Sequence, residues 1–122
     1  MKVLIVEDSK ATRELLATTV QMISGLEVVC AVSGFEALKV LPRFQFALII
    51  TDINMPDING LELINFVKKN PHYRDTPLFV VTTEGRDQDR ARGLALGASE
   101  YLIKPFESEV LVALVKRYLK LD

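Results

Sequence analysis

The sequence predicts a doubly wound α/β domain, a five-stranded parallel sheet with five helices distributed over both faces. Three observations predict it. Five short apolar runs alternate with longer stretches of helical period, the runs are nearly unbroken Val, Ile and Leu as in strands buried on both faces, and 122 residues at 49% hydrophobic content can fill one core without disulfides or structural metal. One domain is expected over residues 1–122, since no linker, solenoid-type repeat or low-complexity tract interrupts the pattern and both ends fall close to predicted elements.

Taken in order, the candidate strands are KVLIV (Lys2–Val6), LEVVCAV (Leu26–Val32), FALIIT (Phe46–Thr51), PLFVVT (Pro77–Thr82) and EYLI (Glu100–Ile103). The first intervening segment carries Leu16, Val20 and Ile23 at helical spacing, and the last carries Val110, Leu111, Leu114, Val115 and Tyr118. Ser33 followed by Glu36 reads as a capping box opening the second helix. Asn70-Pro71 closes the third, and Gly97 stops the fourth. Right-handed crossovers then bring helices to both faces of the sheet.

Bulk composition narrows the function. A net charge of -1, from 15 basic and 16 acidic residues, gives no electrostatic reason to bind nucleic acid or an anionic membrane surface. The run Val3–Val6 is stopped by Glu7 and Asp8, too short for a signal-peptide core or a membrane span. The lone cysteine, Cys30, excludes a disulfide framework and reads as core filler between Val28 and Val32, so a soluble protein of the reducing cytoplasm is expected.

Chemistry is expected beyond the carboxyl ends of the strands, where open α/β sheets place their ligands. Strand one runs into Glu7-Asp8, strand three into Asp52, strand four ends in Thr82-Thr83, and strand five runs into Lys104-Pro105. If those strands are neighbours, three carboxylates, one or two hydroxyls and one ammonium meet on one rim. Crowded carboxylates repel one another unless a cation relieves the field, which implies a divalent metal. Mg2+ is the natural candidate, because it prefers oxygen ligands and usually takes one or two carboxylates together with phosphate oxygens. Asp52 then suits a nucleophile in phosphoryl transfer, with Lys104 as a fixed cation and Thr82 as a hydroxyl donor. Each residue alone has a plainer reading: Asp8 or Asp52 as a helix cap, Thr82 as strand propensity, Lys104 as a surface charge.

The segments VLIVEDS (Val3–Ser9), IITDINMPDINGLEL (Ile49–Leu63), VVTTEG (Val80–Gly85) and GASEYLIKPF (Gly97–Phe106) together resemble the receiver domains of two-component response regulators. The chemotaxis-type, CheY-like single-domain receivers are the nearest kind, and the resemblance spans essentially the whole chain. It implies a flavodoxin-like sheet of order 2-1-3-4-5, which the strand pattern alone does not determine. It further implies Asp52 as acceptor of a phosphoryl group from a histidine kinase, with Mg2+ held by Asp8, by Glu7 through water, by Asp52 and by the main-chain carbonyl of Asn54. Thr82 and Lys104 would contact the phosphoryl oxygens, the Lys104-Pro105 peptide would be cis, and Thr82 with Tyr101 would form the switch. Output would pass to a protein target through the face of the fourth helix, fifth strand and fifth helix, from a monomer or a weak phosphorylation-dependent dimer. Arg86, Arg90, Arg92, Lys116, Arg117 and Lys120 border that face or are simply solvated, and His72 reads as a surface residue.

Two departures stand out. Glu7 replaces the first of the two aspartates usual in the family, and Thr83 stands where a smaller residue is common. Asn54 and Glu84 match chemotaxis-type receivers, for which fast self-dephosphorylation is an expectation. Two other readings stay open. A phosphorylation-independent scaffold needs none of this chemistry, and a haloacid dehalogenase-like phosphatase would need a second aspartate where the chain has Asn54.

Overall fold

The computed structural model describes residues 1–83 and 85–121, so Glu84 lies outside the described residues. Among the described residues five strands, β1 (Lys2–Val6), β2 (Glu27–Ala31), β3 (Phe46–Thr51), β4 (Leu78–Thr82) and β5 (Glu100–Ile103), alternate with five α-helices. The helices are α1 (Lys10–Gln21), α2 (Gly34–Val40), α3 (Gly60–Lys69), α4 (Asp87–Leu96) and α5 (Ser108–Leu119), with a short 3-10 turn at Leu41–Arg43 after α2. The strands are all parallel, in the order β2-β1-β3-β4-β5.

Period-two alternation within each strand divides the core in two. Leu4, Val6, Ile49, Leu78 and Val80 face one side and pack with Ala37 of α2 and Leu63, Ile64 and Val67 of α3. Val3, Ile5, Leu48, Ile50, Phe79 and Val81 face the other and pack with Leu16 and Val20 of α1 and Leu111 and Val115 of α5. Because β1, β3 and β4 are covered on both sides, their sequences tolerate no polar residue until the strand ends.

The edge position of β2 overturns one expectation. Cys30 is exposed, not core filler, and Val28 and Val29 are only half-buried. A strand with one neighbour, flanked by a short helix, is not covered on both faces, and hydrophobicity alone did not reveal which of the five runs would be the edge. Val110 is likewise exposed at the start of α5, whereas Leu111 and Val115 carry the packing.

Helix boundaries follow side-chain chemistry. Ser9 caps α1, Asn59 caps α3 through its Oδ1 accepting from the Leu61 amide at 2.7 Å, and Gly97 ends α4 with φ +117°. The Ser33 hydroxyl accepts from the Glu36 amide at 3.1 Å, and Glu36 Oε1 accepts from the amide of Val32, one residue earlier than a strict capping box requires. A clasp absent from that sequence reading also holds α2: Asp57, in the loop after β3, accepts from the amides of Gly34 at 3.1 Å and Phe35 at 2.9 Å.

Gly60 opens α3 beneath the acidic rim, and a Cβ there would stand 2.1 Å from the main-chain oxygen of Asp52. Because the obstacle is backbone, Gly60→Ala should cost about 3 kcal/mol, read as a lowered urea midpoint at unchanged m-value. The Asp57 carboxyl is lowered from 3.8 to about 2, first by the Phe35 amide. Its contribution to stability is therefore complete above its ordinary value and is lost as pH falls through about 2. Asp57→Asn should flatten that part of the acid limb, measured as thermal midpoints from about pH 4 downward.

Candidate functional site

Strand register brings the predicted residues together. Val6 lies opposite Thr51, and Thr82 opposite Ile103, so the residues that follow emerge side by side. The ladders continue one step further: the amide of Glu7 donates to Ala31 at 3.0 Å, that of Asp52 to Val6 at 3.1 Å and that of Lys104 to Thr82 at 2.8 Å. Main-chain hydrogen bonding thus fixes the Cα positions of the acidic and basic groups before any side chain interacts.

Lys104 Nζ donates to Glu7 Oε1 at 2.6 Å and to Asp52 Oδ2 at 3.0 Å. Carboxylate oxygens of Glu7, Asp8 and Asp52 all lie within 4.8 Å of one another. Glu7 is 1% exposed and Asp52 7% exposed, whereas Asp8 is open to solvent. Burial raises the pKa of Glu7, against the opposing pull of Lys104 and the Ser9 amide. Burial disfavours the Lys104 ammonium, but its hydrogen bonds to Glu7 and Asp52 outweigh that cost and its pKa is raised. One ammonium therefore faces three carboxylates, a donor set of hard oxygens that fits a divalent cation such as Mg2+.

Two main-chain amides orient the Asp52 carboxylate: Ile53 donates to Oδ1 at 2.6 Å and Asn54 at 3.3 Å, which turns Oδ2 toward Lys104. Neither Asp8 nor Asp52 is a helix cap, because Ser9 and Asn59 hold those places. Thr82 is fully buried at the end of β4. Tyr101 pairs with Val80, two residues back from Thr82, so Tyr101 and Thr82 share one face of the sheet. The Tyr101 ring is buried on that face, 3.4 Å from where a Cβ on Gly93 of α4 would stand. Asn54 is exposed, and the Lys104-Pro105 peptide is cis. Thr83 and His72 are exposed.

Three supporting residues escaped the sequence reading. The Ser9 amide donates to Glu7 Oε2 at 3.1 Å, and Arg13 Nη1 donates to the carbonyl of Glu7 at 3.0 Å, holding the loop that carries both acidic residues. Asp57 holds the loop after Asp52. The helical position of Arg13 one turn after the acidic pair was a usable signal; nothing in the linear spacing of residues 34 and 57 pointed to their contact.

The response regulator receiver domain model matches residues 3–116. A chemotaxis protein CheY homolog of Campylobacter jejuni is 38% identical over 91% of this chain and 86% of its own length. The response regulator protein FleR of Pseudomonas aeruginosa is also 38% identical over 96% of the chain, which spans only 24% of that longer protein. Among solved structures, the chemotaxis protein CheY4 of Vibrio cholerae superposes with a TM-score of 0.87 at 38% identity, covering 96% of this chain and 97% of that one. The strand order, the acidic rim with its bridging lysine and these similarities agree: the chain belongs to the response regulator receiver domain family.

Proposed function

We propose that Asp52 accepts a phosphoryl group from the phosphohistidine of a histidine kinase in a Mg2+-dependent reaction, and that the modified chain signals through protein contacts. The observation that carries this reading is the Lys104 ammonium shared between Glu7 and Asp52, with the Asp8 carboxylate beside them. In the transfer, an Asp52 oxygen forms the new bond to phosphorus as the phosphorus–nitrogen bond breaks, and the imidazole leaves with the bonding pair. Bound Mg2+ supplies neutralisation of charge on the phosphoryl oxygens. Glu7, Asp8, Asp52 and the Asn54 carbonyl would hold it. Lys104 and the Thr82 hydroxyl complete the charge balance around the transferred group.

Signalling is assigned to Thr82 and Tyr101, supported by their shared face and by the packing of the Tyr101 ring on α4. Movement of Thr82 toward the phosphoryl group would bias the ring and the α4–β5–α5 surface toward one arrangement, and a protein target would distinguish the two. Catalysis is confined to the chain's own phosphorylation and dephosphorylation. A phosphatase of the haloacid dehalogenase type lacks support, since an aspartate is missing at position 54.

Incubation with Mg2+ and a small phosphodonor should give a single phosphoryl adduct by intact mass, absent without Mg2+ and absent in Asp52→Asn. A mass that stays unmodified in the native chain would favour the scaffold reading instead. Mg2+ should also raise the thermal midpoint, by the equivalent of about 2.7 kcal/mol at roughly a hundredfold excess over its dissociation constant. Asp8→Ala should remove most of that rise while leaving the metal-free midpoint unchanged or higher, because one repelling carboxylate is gone.

A further inference from the structure

Asp57 lies outside the acidic rim, yet the structure gives it more than a surface role. Its two carboxylate oxygens engage two consecutive amides, Gly34 and Phe35, at the start of α2. The same two segments interlock sterically: a Cβ on Gly34 would fall 2.7 Å from Cβ of Ile58, so only glycine lets the loop after β3 seat against α2. That loop runs from Asp52 to Asn59, and its first two amides orient the Asp52 carboxylate. Its far end is closed by the Gly60 amide donating to the Ile53 carbonyl at 2.8 Å and by the Asn59 cap of α3. Between those ends, Asp57 ties the loop sideways to a second element.

We propose that Asp57 is a positioning residue for the metal site: by clasping the α2 amides it fixes the loop after β3, and with it the Asn54 main chain and the Asp52 carboxylate, for a divalent cation. The inference rests on the reading that this rim binds Mg2+. Its physical basis is preorganisation. A short loop held at both ends retains freedom at its middle, and each ligand-bearing peptide that must be ordered on binding weakens affinity. Groups that orient metal ligands without touching the metal commonly change affinity by about tenfold or more when removed. The clasp also makes the start of α2 part of the support of the site, although α2 contributes no group to the rim.

The test measures Mg2+ affinity by calorimetry and loop geometry by amide resonances of the metal-free protein, in Asp57→Ala, Asp57→Asn and Glu36→Ala. Glu36→Ala weakens the same end of α2 at the Val32 amide without touching the loop. Asp57→Ala is expected to raise the Mg2+ dissociation constant about tenfold and to shift the Ile53 and Asn54 amides before metal is added. Asp57→Asn, which keeps one oxygen for the clasp, should recover part of the affinity. Glu36→Ala should lower the thermal midpoint while leaving affinity and those two amides as in the native chain. An Asp57→Ala dissociation constant within about twofold of the native value, with a lowered midpoint, would overturn the proposal and leave Asp57 as a cap of α2 alone. Absence of a Mg2+ heat in the native chain would instead overturn the metal reading, and the proposal with it.

Discussion

The ammonium of Lys104, held between the carboxylates of Glu7 and Asp52, is the interaction on which the rest of the site depends. Two nearly buried carboxylates with a third beside them would repel one another strongly in a low dielectric. The Lys104 ammonium makes the cluster tolerable, and reaches Asp52 across β4, which lies between β3 and β5. Such a bridge depends on strand register. A slip of β5 by one residue would turn the Lys104 side chain to the other face and leave both acids uncompensated.

That dependence explains why so much of the fold's precision sits at one edge. The ladder bonds of Glu7, Asp52 and Lys104 carry the sheet one residue past the strands proper. Arg13 and the Ser9 amide then hold the first acidic loop, while Gly60 admits the backbone of Asp52 where any side chain would collide. Burial raises the pKa of Glu7 against the pull of Lys104 and the Ser9 amide, and three clustered carboxylates share the one Lys104 ammonium. A site with residual excess negative charge is suited to a divalent cation. Glu7 divides its two oxygens, Oε1 accepting from Lys104 and Oε2 from the Ser9 amide.

The two faces of the sheet are packed differently. On the α1–α5 side, Phe79 packs edge-on against Tyr118 at 5.0 Å between centroids, and the side chains there are largely apolar. On the other side Tyr101 lies on Gly93, in line with Thr82 along the strand direction. A small residue under an aromatic ring lets α4 approach the sheet closely, so a displacement of that ring reaches the helix directly. Tyr101 thus packs on α4 from the same sheet face that carries Thr82 at the rim.

Much of this was legible in the chain. All five strands match their apolar runs to within a residue, because apolar runs mark the strand interiors and a strand end may turn polar at once. The Ser33 cap and the Gly97 stop were readable because capping chemistry is local. The residues of the rim were legible for a related reason: each follows its strand directly, and topology alone brings strand ends together. Edge position is not local, so the apolar run around Cys30 does not reveal that this residue is exposed. Nor are the clasp of Asp57 on α2 and the close approach of Gly60 to Asp52, which join segments whose spacing carries no periodic signal. The sequence by itself determined the elements, their apolar faces and the functional groups at their ends, since these depend on neighbours along the chain. Only the tertiary structure decided which strand lies at the edge, which carboxylates share the ammonium and which loop leans on which helix, because distances across the fold depend on register and packing.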